Sequence, residues 1–405
     1  MKFAHLADCH IGAWKDAKLR NINTKAFERA IDICIEKKVD FIVIAGDLFN
    51  TSMPAIDDLK LVVQKLNELK HKNIPVYLIA GSHDFSPSGK TMLDVLESAS
   101  LFFNVAKGEV INDKLKLNFT FDKKTNVKIT GMIGKRGSLE KKYYEQLLKD
   151  NLEKESGYKI FLFHSLLSEL KPKDLEKAES QPLSFLPKYF DYYAGGHPHF
   201  VFHAKEKDYG TIAYPGPLFP NNFAELEKLG RGGFYIVENN KLDFEPIQIY
   251  NTSNIKIDCN HKTPEQVNEA LVNEIKGKEF INTIITIRLF GSLESGKQSD
   301  IGMKEIFEQL YDKGAYFVMK NTNALTTKEF EEIKVSSGSV EEIEKSVIKE
   351  HLGQAKFENM SSEQQEKLIQ ILIEVLSLEK DEGEKVADFE NRVKTEMDKV
   401  FEIRD

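Results

Sequence analysis

Cysteine is nearly absent. Cys9, Cys34 and Cys259 are the only three in 405 residues, and none sits in a CxxC pair. That excludes a disulfide framework and a thiolate metal cage, and it points to a reducing, cytoplasmic setting. No apolar run approaches the roughly 18 residues that a membrane span needs, so no membrane association is expected. The chain opens directly on the strand-like MKFAHLAD, without signal-peptide architecture. An excess of one charge is also missing from most of the chain. Residues 339–405 carry 10 Lys and Arg against 18 Asp and Glu, which accounts for the whole net charge of −8 and leaves the preceding 338 residues neutral. Such neutrality argues against tight nonspecific DNA binding by charge alone. It does not exclude a phosphate substrate met by local patches and bound cations. What is present, 41% hydrophobic and 30% charged residues, describes a globular protein long enough for two or three domains.

Along the first 250 residues, apolar strands alternate with amphipathic helices. Strands are expected over 2–7, 40–45, 75–80, 127–133, 159–163 and 189–194, then over 211–214, 233–237 and 242–249. Helices are expected over 24–37 and 56–70, where apolar residues recur at helical spacing. Strand, loop, helix, strand in repetition predicts parallel pairing with helices on the sheet faces. The closing strands lack helices between them, so the fold class is α/β, a sandwich of two sheets flanked by helices. A composition change near Asn251–Asn254 marks a boundary, and a small α+β module follows over 251–334. Thr263, Pro264 and Glu265 start its first helix, expected over 264–275, and a second is expected over 304–311. The last segment, 335–405, reads as a linker and several amphipathic helices, with a capping box from Ser339 to Glu342, another from Ser362 to Gln365, and Val386, Phe389, Val393, Met397 and Val400 at helical spacing.

Five of the early strands end in metal-ligand residue types: Asp8 and His10 in HLADCHIG, Asp47 in IAGDLFN, His83 and Asp84 in IAGSHD, His164 in FLFHS, and His197 and His199 in AGGHPH. In a sheet of this kind the loops at the C-terminal ends of the strands build the site. Singly, each motif is as easily a turn or a core histidine. In series they describe a preformed pocket for two divalent cations. Asp8 and His10 are read as leaving one face of an extended segment, and His197 and His199 as leaving a rigid, extended turn around Pro198. Carboxylate plus imidazole without thiolate suits manganese, iron or zinc. Paired metals cleave phosphate esters by activating water and steadying the phosphoryl oxygens. His83 is the candidate general acid, with Asp84 to hold or tune its ring. Lys15, Lys18 and Arg20, and Lys135 and Arg136, are basic residues near these loops that read either as a solvated face or as contacts to a DNA backbone.

Asp-x-His, Gly-Asp, His-Asp, His and Gly-His-x-His, in that order, resemble the calcineurin-like metallophosphoesterases. LADCHIG, AGDLFN, the HPH turn and YPGPLFP resemble, within them, the SbcD-type nuclease subunits. The resemblance covers about residues 1–250. It implies an αββα metallophosphoesterase sandwich at 1–250, a capping domain at 251–334 and partner-docking helices at 335–405. It implies a manganese-dependent exonuclease and single-strand endonuclease for double-strand-break repair, a homodimer acting on DNA with a coiled-coil ABC ATPase of the SbcC type. Carried over residue by residue, one metal falls to Asp8, His10, Asp47 and His199 and the other to Asp47, His164 and His197. The family's second-metal asparagine is Ser82 here, a shorter and poorer ligand, and Asn50 stands where many relatives have histidine. Two competing readings remain. One is a phosphomonoesterase or cyclic-nucleotide phosphodiesterase of the same superfamily; the other is a repair scaffold whose metal site is impaired at Ser82.

Overall fold

In the computed structural model, β1 (Lys2–Leu6), β2 (Phe41–Ala45), β3 (Val76–Ile79) and β4 (Phe103–Asn104) run parallel, joined through α1 (Ala17–Glu36), α2 (Ile56–His71) and α3 (Met92–Ser98). The structure describes residues 1–327 apart from 87, 88, 136 and 138, and, in the tail, 364–365, 367–368, 371–372, 375, 377–381, 384 and 386–402. A hairpin, β5 (Gly108–Ile111) and β6 (Lys114–Leu117), leads to β7 (Thr120–Phe121), β8 (Lys128–Gly131), β9 (Lys159–His164), β10 (Tyr192–Gly196), β11 (Phe202–Lys205) and β12 (Thr211–Tyr214). Short helices α4 (Lys141–Gln146) and α5 (Asp150–Glu153) separate β8 from β9. After α6 (Phe223–Leu229), β13 (Gly232–Glu238) and β14 (Lys241–Ile247) return to the first sheet. Its strand order is β14-β13-β1-β2-β3-β4, and that of the second sheet is β11-β12-β10-β9-β8-β7. Every strand expected in this region forms, with ends shifted by a few residues.

The period-2 pattern explains the layers. In β1, Phe3 and His5 face the second sheet, while Ala4 and Leu6 face the helices. Phe3, Phe41, Tyr77, Ile160, Leu162 and Tyr192 form the core between the sheets, where Phe3 and Phe41 stack at 5.1 Å. A second core lies under α1 and α2, and a third covers the outer face of the second sheet around Phe161, Phe163 and Tyr214. Both faces of both sheets are buried, which is why their central strands read as continuous apolar runs.

Helix α1 begins seven residues before the expected Thr24. The Asp16 side chain accepts from the backbone of Lys18 and Leu19 and caps it there, and Leu19 and Ile22 extend its buried face. Beyond the sandwich come β15 (Asn251–Asp258), α7 (Pro264–Ile275), β16 (Thr283–Leu293), α8 (Met303–Asp312) and β17 (Ala315–Thr327), with the strands in the order β15-β16-β17. The chain divides into two compact units. One is Met1–Asp258 with Asn268–Leu289 and Gly302–Asn323; the other is Cys259–Val267 with Phe290–Ile301 and Ala324–Asp405. Within the first, Ile284, Tyr316, Phe317 and Met319 pack into the core beneath α1. In the tail, the helix expected through Val386–Val400 is α9 (Val386–Glu402). The linker, the helix expected to start at Ser339 and the start signal at Ser362 lie outside the described residues. No described helix is long and apolar enough to cross a membrane.

Candidate metal centre

The strand tips meet through backbone pairing that continues past the sheet. Asp8 N–H donates to Gly46 O, His10 N–H to Asp47 O and Ile11 N–H to Leu48 O, so the loops after β1 and β2 run side by side. Asp84 ties in the loop after β3, accepting from the N–H groups of Leu48, Phe49 and Gly81 at 3.0–3.2 Å. His197 N–H donates to both oxygens of Asp8, which fastens the tip of β10 to that of β1.

Two expectations about local geometry are corrected here. Asp8 and His10 do not share a face by extension: β1 ends at Leu6, and both residues are left-handed, with φ of 50° and 43°. Nor is the HPH turn extended, since His197 and His199 have φ of 97° and 49°. Asp47, at φ 52°, is left-handed too. Five non-glycine residues held in this uncommon region at one place is strain concentrated where a scaffold fixes side-chain directions.

The side chains converge in a buried cluster. Asp8 and Asp47 are 1% exposed, His10 and His164 2%. Asp47 Oδ2 is the common point, 3.5 Å from His10 Nε2, 3.1 Å from His164 Nε2 and 3.4 Å from Ser82 Oγ. His199 Nε2 lies 3.0 Å from His10 Nε2 and 3.8 Å from Asp8 Oδ1. Ligand atoms of Asp8, His10 and His199, of His10, Asp47 and His83, and of Asp8, Asp47 and His164 each gather within 4.8 Å. His197 joins through its ring, 5.2 Å from that of His164. Gly46 and Gly196 let the tips come this close. A Cβ on Gly46 would stand 2.3 Å from His164 Nδ1, and one on Gly196 would stand 2.1 Å from Ala45 O.

Tautomers follow from the hydrogen bonds. His164 Nδ1 faces Ala45 O at 2.8 Å, His83 Nδ1 faces Asn50 O at 2.8 Å, and His199 Nδ1 faces Glu225 Oε1 at 2.9 Å. Each partner only accepts, so each Nδ1 carries a proton and each Nε2 is the nitrogen left for a ligand or a second proton. His164 Nε2 faces the Asp47 carboxylate at 3.1 Å, a distance that a proton on Nε2 satisfies. Burial works against charge at Asp47, yet the His164 imidazole holds it well below the usual carboxylate range. Burial likewise opposes the His164 imidazolium, but Asp47 pushes it up to about 10. Burial pulls His10 well down, takes His197 down to about 4 and raises Asp8. Carboxylate and imidazole ligand atoms gathered within 4.8 Å in a dry site are costly to leave uncompensated, and this donor set fits divalent metals.

Asp84 does not touch the His83 ring as expected. Its carboxylate is spent on three backbone N–H groups, and burial with the neighbouring Asp47 pushes it up to about 7. The Asn50 carbonyl orients His83 instead. Of the basic candidates, Lys135 reaches the cavity of about 530 Å³ that opens over His83, His197 and His199. Its ammonium lies 4.8 Å and 4.5 Å from the ring centres of Phe85 and Tyr143. Arg20 donates to the carbonyls of Trp14 and Lys15, and Lys18 sits over Tyr316 at 5.7 Å; neither lines that cavity, nor does the exposed Lys15. Arg136 lies outside the described residues. Glu225 was missed by sequence reasoning. Its one local signal, the Asn222-x-x-Glu225 pair, reads as a helix cap, which it also is.

Residues 1–200 match the family described as calcineurin-like phosphoesterase. Among curated relatives is the DNA double-strand break repair protein Mre11 of Archaeoglobus fulgidus, 28% identical over 282 residues, which are 64% of this chain and 62% of that one. The Mre11 of Methanococcus maripaludis is 28% identical over 367 residues, 86% of this chain and 91% of that one. That of Methanocaldococcus jannaschii is 29% identical over 294 residues, 68% of this chain and 73% of that one. The match thus spans less than two thirds of the Archaeoglobus relative.

Proposed function

Residues 1–200 are a calcineurin-like phosphoesterase domain, and from that premise we propose that the protein is a manganese-dependent DNA nuclease of double-strand-break repair. One observation carries the reading. A single carboxylate oxygen, Asp47 Oδ2, stands between His10 and His164, as a ligand shared by two cations would. Asp8, His10, Asp47 and His199 would hold one cation, and Asp47, Ser82, His164 and His197 the other. Cations there would supply an activated water and neutralise charge on the phosphodiester.

The chain's own residues do the rest. His83, fixed through Nδ1 by Asn50 O, lines the cavity and, when Nε2 also carries a proton, delivers that proton to the leaving oxygen. Asp84 keeps the His83 loop against the loop after β2 through its backbone bonds. Lys135, of the five basic candidates, contacts the substrate's phosphates at the cavity mouth. The names of the relatives support double-stranded breaks as the setting. The sequence resemblance supports exonuclease and single-strand endonuclease activities, a homodimer, and docking of a coiled-coil ABC ATPase on the C-terminal helices, of which the amphipathic α9 is described.

A nuclease assay with manganese on single- and double-stranded ends tests this, with wild type beside His83→Ala. Wild type should cut both, and the variant should lose about 10²–10⁴-fold while keeping its metals. Cleavage of p-nitrophenyl esters but not of DNA would favour the phosphomonoesterase reading instead, and no hydrolysis at all would leave a scaffold.

A further inference from the structure

Glu225 and Glu227 lie on α6, two residues apart and so about 200° around the helix from one another. Glu225 faces His199. Its Oε1 takes the Nδ1 proton at 2.9 Å, and its Oε2 takes the Asn221 N–H at 2.8 Å. Glu227 faces the other way and is almost fully enclosed, its side chain 7% exposed. Arg288 of β16 grips it as a fork, with Nε 2.9–3.0 Å from both oxygens and Nη2 2.6 Å from one. The same guanidinium lies 5.2 Å from the ring centre of Phe223. From β15, Asn254 donates to Glu227 O at 3.0 Å and Thr252 to Gly230 O at 2.6 Å.

A helix of seven residues has too few internal hydrogen bonds to hold its own place. What α6 packs against therefore decides where Glu225 sits. Leu226 anchors it in the core, and the bonds from β15 and Arg288 hold it further. A metal-bound histidine whose second nitrogen is pinned by a carboxylate keeps one tautomer and one ring orientation, and such partners matter at about 10–100-fold in metal affinity. Of the three imidazoles in the cluster with a pinned Nδ1, those of His83 and His164 are held by backbone carbonyls, and that of His199 depends on a side chain.

We propose that α6 is the positioning element of the metal centre: Glu225 holds His199 with its Nε2 lone pair toward Asp8 and His10, and Arg288, by clamping Glu227, sets how tightly the cation served by His199 is bound. The proposal rests on the metal-site reading given above. It makes the pair β15 and β16 a lever on one cation and not on the other.

Manganese titration of the full-length protein by calorimetry tests it, together with the ¹⁵N histidine spectrum and thermal unfolding. Wild type should take up two ions per chain. Glu225→Ala should weaken one of them by about 10–100-fold, leave the other unchanged and mix the His199 tautomers. Glu225→Gln, whose amide oxygen still accepts from Nδ1, should restore part of the loss. Arg288→Met should weaken the same ion by a smaller factor, and the double variant should be no worse than Glu225→Ala alone, because Arg288 acts through Glu225. A purely structural role would lower the unfolding temperature and leave tautomer and affinity alone. Unaltered two-site affinity in folded Glu225→Ala, or losses that multiply in the double variant, would overturn the proposal. Wild type that takes up no manganese would remove the metal-site reading beneath it, and the proposal too.

Discussion

His5 is enclosed between the two sheets, its Nδ1 2.9 Å from the Tyr192 hydroxyl. Burial lowers its pKa to about 3, so the folded protein keeps it neutral. Unfolded, it titrates near 6.5. Above that value both states are neutral and its contribution does not vary. As pH falls from about 6.5 to about 3, the unfolded chain takes up the proton first, and stability is lost at up to ~1.4 kcal/mol per pH unit. His5→Gln, which cannot titrate, should flatten this slope by one proton in denaturant melts compared across that range. An equal slope in the two proteins would show that His5 is not buried neutral. Ser82 offers a second test at this scale. Its hydroxyl is 3.4 Å from Asp47 Oδ2, and an amide oxygen would reach further into the site. Ser82→Asn should tighten one manganese ion, read by titration; unchanged affinity would mean that position 82 is no ligand.

Among the elements, the central strands were legible because β1, β2, β3, β9 and β10 are largely apolar on both faces and run into or end on Gly, Asp or His within a few residues. The start of α1 was not. Its first turn, from Ala17 to Arg20, carries little apolar signal, and Asp16 decides the boundary through two backbone bonds. Asp16→Ala should cost about 1 kcal/mol, measured by denaturant unfolding, and a neutral result would place the helix start in packing by Leu19 and Ile22. The two-residue strands β4 and β7 carry no periodicity of their own and exist because a neighbour pairs with them. Which side chains converge at the strand tips was legible, but their conformations were not. Left-handed Asp8, His10, Asp47, His197 and His199 follow from pairing between loops far apart in sequence, which no local pattern encodes. Glu225, 26 residues beyond His199, was hidden for the same reason.

At the scale of the whole molecule, the sandwich delivers the ends of β1, β2, β3, β9 and β10 to one rim, with strands from both sheets contributing. Both sheets contribute to the cluster: Asp8, His10 and Asp47 come from one, His164, His197 and His199 from the other. Rigid cores on both faces of each sheet are what let the rim hold buried polar side chains at 3.0–3.5 Å from one another. The most direct measurement is anomalous scattering at the manganese edge from crystals of the full chain grown with the metal. Two peaks roughly 3.5–4 Å apart, both in contact with Asp47, are the expected result. A single peak, or none within reach of Asp47, would contradict the account.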